Sequence, residues 1–150
     1  MMQPDETRQP DPAKLYRILI IIWAAMFTSI TLFLLLAAFI APEQPQAQAD
    51  GNRTMTIIFA TVGILVAIAS VIFRHRLVAQ AVERQQPQQL FPAYIVAFAL
   101  SEAAAIFGLL NRFTTSDRYY YLLFIVAFIA LLLNLPRQSD VVNASSGRRI

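Results

Sequence analysis

Four long apolar stretches of this 150-residue chain contain between them a single acidic side chain, Glu102. It lies 11 residues after Phe91 and 8 before Leu110, so along a helix it sits about 16 Å and 12 Å from the ends of its stretch, near the middle of a hydrocarbon layer. A charged acid at that depth costs roughly several kcal/mol, and an ionisable residue placed there calls for a function. No stretch supplies a lysine or arginine at its depth to pair with it, so desolvation favours the neutral acid. A neutral carboxyl donates one hydrogen bond and can still release and rebind a proton, which is what a proton carrier needs. The same group, kept protonated, would act as a hydrogen-bonding latch between helices; an acid facing another subunit is a third arrangement.

Hydroxyls occur at matching depth. Thr28, Ser29 and Thr31 fall near the middle of the first stretch and Thr61 near the middle of the second, while Ser101 adjoins Glu102 but projects about 100° away around the helix. Enzymatic chemistry has little to build on. There is no cysteine, so no thiolate nucleophile, disulfide or zinc-thiolate site is available. There is one histidine, no second acid in the apolar stretches and no glycine-rich phosphate loop, and neither a metal nor a cofactor is expected. His75, between Arg74 and Arg76, and Asn134, near the end of the fourth stretch, both read as polar residues at a membrane interface.

Composition decides what must position Glu102. With 57% hydrophobic and 14% charged residues and a mean hydropathy of +0.55, the chain reads as a small all-α polytopic membrane protein rather than a soluble domain. The spans are expected at 15–40, 54–73, 91–110 and 119–135. The first, 26 residues and about 39 Å long, can cross the bilayer with tilt. A cleavable signal peptide ending near Ala47-Gln48-Ala49 is the rival reading of that stretch, but a signal's apolar core is about 7–15 residues. Residues 1–14 and 136–150 read as disordered cytoplasmic tails, and Asn111 to Asp117 as a polar turn. No proline or glycine interrupts Ile64 to Gln86, so the second helix should run on through 74–86 as a cytoplasmic extension, with Pro87 ending it. Short connections make antiparallel hairpins of spans two and three and of spans three and four.

The basic residues set the orientation. Arg8, Lys14, Arg17, Arg74, Arg76, Arg84, Arg137, Arg148 and Arg149 fall on one side, and Arg53, Arg112 and Arg118 on the other. The positive-inside rule then places both termini in the cytoplasm, which for a bacterial-type cell means a multi-pass inner (plasma) membrane protein. Tyr16, Phe91 and Tyr94 would form the inner aromatic belt and Tyr119, Tyr120 and Tyr121 the outer one. The pI of 9.7 follows from a net charge of only +3, and with the arginines at span ends it signals topology rather than nucleic acid. The lipid bilayer is the expected partner. Faces of small residues, Ala97, Ser101 and Ala105 on span three and Ala60, Gly63, Ala67 and Ser70 on span two, favour close helix packing within the chain and would also admit a homo-oligomer or other membrane subunits.

The run Glu83-Arg84-Gln85-Gln86-Pro87, followed by Ala99-Leu100-Ser101-Glu102-Ala103-Ala104-Ala105-Ile106-Phe107-Gly108-Leu109-Leu110, resembles the second half of the proteolipid c subunit of rotary ATP synthases. In that family a cytoplasmic Arg-Gln-Pro loop precedes a helix whose carboxylate carries the translocated proton or sodium ion. The resemblance, over about 30 residues, implies that Glu102 is the ion-binding acid and that Arg84, Gln85 and Pro87 form the polar loop. The chain departs from the family in three ways: its second span has only Gly63 where the c subunit repeats Gly-x-Gly, the loop reads Arg-Gln-Gln-Pro, and the distance from proline to acid is about one helical turn shorter. A duplicated, four-helix proteolipid carries its acid in the last helix, and small multidrug transporters, the drug/proton antiporter alternative, carry theirs in the first; neither of those spans has an acid here. The sequence therefore points to a proton- or cation-binding component using Glu102, with a structural or assembly protein, in which Glu102 only fixes packing, as the competing class.

Overall fold

The computed structural model describes residues 12–40, 49–84, 86–115 and 118–146, with the backbone alone at 49–52, 87 and 144–146. Every regular element among them is helical. Helix α1 spans Pro12–Phe39, α2 Ala49–Glu83, α3 Leu90–Thr115, α4 Tyr121–Leu133 and α5 Gln138–Ser146, and short 3₁₀ turns, Pro87–Gln89 and Arg118–Tyr120, lead into α3 and α4. Proline begins α1 and stands in the first turn of α3, where its missing N–H has no intrahelical acceptor to lose.

Three helices, Pro12–Phe39, Arg53–Glu83 and Leu90–Thr115, are long and apolar enough to cross a membrane, and Arg118–Leu133 is a shorter apolar helix. In their most apolar stretches 44% of α3 is buried, against 11% of α1 and 17% of α2. That difference makes α3 the central helix, with α1, α2 and α4 around it. Their outward faces carry Ile21, Leu65, Ile106 and Ile129, all exposed. Water would not tolerate so much apolar surface, whereas hydrocarbon requires it.

The inward faces are lined by small residues. Ala93, Ala97, Ser101, Ala104, Ala105 and Gly108 of α3 are buried, as are Gly63, Ala67 and Ser70 of α2 and Ala127 and Ala130 of α4. Small side chains bring backbones close, so dispersion rather than water exclusion holds the helices together. Gly108 marks a close α3–α4 crossing: a Cβ there would meet the Cβ of Leu123 at 3.1 Å and the ring of Phe124 at 3.1 Å.

Several elements differ from the sequence expectation. The segment from Asn111 does not turn: α3 continues to Thr115, with Asn111 and Thr115 buried and the Thr115 hydroxyl donating to Asn111 Oδ1 at 2.9 Å. Hydrogen bonding inside the last turn satisfies residues whose polarity alone suggests a loop. Helix α4 ends at Leu133, and the Asn134 N–H caps it on the Ala130 carbonyl. The stretch after Pro136, expected to be a tail, contains α5, whose Val141 is 1% exposed and packs into the core. With Leu15, Leu19, Val78, Ala81 and Val82, it continues that core beyond the small-residue crossing, against the end of α2.

A larger side chain at the α3–α4 crossing should be costly. Gly108→Val is expected to lose about 1–3 kcal/mol. At Gly63 a new methyl meets the mobile Cδ2 end of Leu123 at 2.9 Å, and the gain in helix propensity offsets the shift, so Gly63→Ala should stay within about 1 kcal/mol of wild type. Equilibrium unfolding in micelles or bilayers measures both.

Candidate functional site

Helix α3 carries Glu102 one position past its small-residue stripe. A single step of about 100° turns the carboxyl from the α2 side toward α1, where it is half-buried. The Ser29 hydroxyl donates to Glu102 Oε1 at 2.5 Å, which ties the middle of α1 to the middle of α3. The other hydroxyls of that layer turn elsewhere. Thr28 and Thr31 donate to the carbonyls of Ala24 and Phe27 in their own helix, the usual bond of a helical threonine, and Thr61 is exposed on α2. Of the candidate partners, then, the structure brings only Ser29 to Glu102. One carboxyl and one hydroxyl suit a proton; a hard cation takes about six oxygens. No group of three or more His, Cys, Asp or Glu side chains occurs among the described residues.

Ser101 faces inward and is fully buried with Ser70 and Asn134. The Asn134 amide donates to Ser70 Oγ at 3.1 Å and to Ser101 Oγ at 3.2 Å. The two hydroxyls donate to the Ala67 carbonyl at 2.7 Å and the Ala97 carbonyl at 3.0 Å. Three helices, α2, α3 and α4, thus meet at one polar node. Asn134, at the cap of α4, is fully buried, with its side chain aimed into the bundle.

One turn beyond Ser70 on α2, Arg74 is 3% exposed. It does not belong to the interfacial cluster with His75 and Arg76, both of which are exposed. Its guanidinium donates to the Leu133 carbonyl at 2.9 Å, to Tyr94 Oη at 3.2 Å and to Asp140 Oδ2 at 3.2 Å. The Tyr94 hydroxyl donates to the same carboxylate oxygen at 2.7 Å, and the guanidinium lies 5.2 Å from the centre of the Tyr94 ring. Tyr94, fully buried, is therefore not part of an aromatic belt. At the opposite end, Arg112 donates to the Ala37 carbonyl near the end of α1 and lies 5.2 Å from the centre of the Tyr120 ring. A cation at a helix C-terminus complements its dipole.

Arg84 is exposed in the turn that closes α2, Pro87 opens the 3₁₀ turn before α3, and Gln85 lies outside the described residues. Sequence reasoning missed Arg74, Tyr94, Asn134 and Asp140. The signal was there for the first two: Arg74 follows Gly63, Ala67 and Ser70, and Tyr94 precedes Ala97 and Ser101, each in helical register with its stripe. Family models, curated proteins and solved structures offer no match to this chain.

The Arg74–Asp140 pair is the one ion pair among the described residues, and its side chains are 4% and 20% exposed. Asp140→Leu strands a buried cation and should cost about 2–4 kcal/mol, whereas Arg74→Met with Asp140→Leu should recover at least half of that loss. A thermal or chemical unfolding cycle over the four proteins checks the coupling.

Proposed function

We propose that this chain is a four-span membrane protein whose Glu102 binds and releases a proton, with Ser29 holding the carboxyl in place. The observation that carries the reading is the half-buried Ser29–Glu102 bond: an acid inside an apolar bundle with one hydroxyl donor and no ion-pair partner among the described residues. A proton can therefore leave or enter without breaking a salt bridge. The c-subunit resemblance supports the same assignment, because α2 and α3 form a hairpin with Arg84 at its turn and Glu102 midway along its second helix.

The fourth span is the short one. Arg118–Leu133, about 24 Å long as a helix, is less than the roughly 30 Å hydrocarbon core, and local thinning of the bilayer accommodates the difference. Both termini face the cytoplasm on the nine-to-three distribution of basic residues. Cysteines introduced at Gln48 and Ser116 should react with an impermeant reagent from outside, and those at Gln88 and Ser139 only after permeabilisation. Outside labelling at Gln88 overturns this topology.

A second reading keeps Glu102 protonated as a latch, and the bond joining α1 to α3 favours it. Glu102→Gln separates the two. Glutamine retains the acceptor for Ser29, so stability should change by less than about 1 kcal/mol in either case. An exchanging site loses its proton flux with this substitution, because an amide does not ionise near neutral pH, and Glu102→Asp retains the chemistry at reduced rate. The measurement is proton flux and carboxyl infrared absorption in liposomes. A wild-type carboxyl band that never titrates between about pH 5 and 10, with equal flux in the Gln variant, leaves only the latch.

A further inference from the structure

Two buried side-chain atoms among the described residues have no hydrogen-bond partner: Arg74 Nε and Asn134 Oδ1. They are complementary, since one is a donor and the other an acceptor. They also belong to one interface. Ser70 and Arg74 are a single turn apart on the inward face of α2, and Leu133 and Asn134 are consecutive at the end of α4. The Arg74 guanidinium crosses to the Leu133 carbonyl at 2.9 Å, and the Asn134 amide crosses back to Ser70 Oγ at 3.1 Å. Both side chains therefore bridge the same two helices, from opposite sides of the interface.

We propose that this α2–α4 interface binds a single buried water, which accepts from Arg74 Nε and donates to Asn134 Oδ1. A guanidinium N–H and an amide oxygen each lose strong hydration on burial, and a water that bonds both restores it for a small loss of its own freedom. Buried waters occur where polar groups of this kind converge and make two to four bonds. The Leu133 carbonyl, which accepts from Arg74 in the same layer, has a second lone pair for a further bond. With the water in place one hydrogen-bonded network runs from Ser101 through Asn134 and Arg74 to Asp140, which is 20% exposed at its side chain. The site is independent of whether Glu102 titrates.

The test is water-to-protein magnetisation transfer in solid-state NMR of the full chain in bilayers, with arginine, asparagine and tryptophan labelled with nitrogen-15. Arg74 Nε and the Asn134 side-chain amide should receive water magnetisation several-fold faster than Trp23 Nε1, whose N–H is already bonded to the Leu131 carbonyl at 2.9 Å. In Asn134→Leu the Arg74 signal should fall to the Trp23 level. Build-up at Arg74 and Asn134 no faster than at Trp23 in the wild-type protein overturns the proposal without need of any variant. So does a fast Arg74 signal that survives Asn134→Leu in a protein whose helical spectrum is unchanged, because solvent would then reach Arg74 without a bridge.

Discussion

The packing of this bundle depends on what Arg74 requires. A guanidinium cannot shed its charge in a protein, so once α2 brings it inward, the surroundings must supply acceptors. They come from three other elements: the last carbonyl of α4, the Tyr94 hydroxyl of α3 and the Asp140 carboxylate of α5. Each acceptor fixes a position that hydrophobicity leaves free. An apolar helix can slide or rotate against another at little cost in lipid, because its surface is as well accommodated by acyl chains as by a neighbour. The directional bonds of one buried cation remove that freedom for α2, α3 and α4 together.

The same constraint explains α5. Gln138 to Ser146 has little hydrophobicity of its own, and isolated helices of this length are marginal in water. Its order comes from the bundle, which receives Asp140 at the guanidinium and Val141 in the core. An acid in the first turn also complements the dipole of its own helix.

How much of this is legible in the sequence follows from which forces are local. That α1, α2 and α3 are long and apolar enough to cross a bilayer can be read from runs of apolar residues, since hydrocarbon sets the criterion residue by residue. The small-residue faces can be read as well, from four-residue spacing. What composition hides is direction. Arg74-His75-Arg76 looks like three equivalent interfacial cations, yet only the first is in register with Gly63, Ala67 and Ser70 and so points inward. Tyr94 is in register with Ala97 and Ser101 in the same way, whereas Asn134 is hidden, because a polar residue at a helix end is equally at home in water until the neighbouring helices are placed. The acid midway along α3 is legible, whereas the choice of Ser29 over Thr28, Thr31 and Thr61 needed the rotation of α1 against α3.

The polar groups of the bundle sort by their angle to the small-residue stripes. Those on the stripes, Ser70, Ser101, Asn134 and Arg74, are sealed, and each is held by partners on more than one element. Glu102 is one residue off the α3 stripe, half-buried, and tied to α1 through one oxygen. A latch between helices requires no carboxyl: Asn134 shows that this chain builds a sealed one from an amide and two hydroxyls. What an acid adds to such a bond is the ability to lose and regain its proton, and reversible exchange needs a group that is neither sealed from a proton source nor held ionised by a cation. The position of Glu102 beside the stripe rather than on it is therefore an argument for exchange over mere attachment.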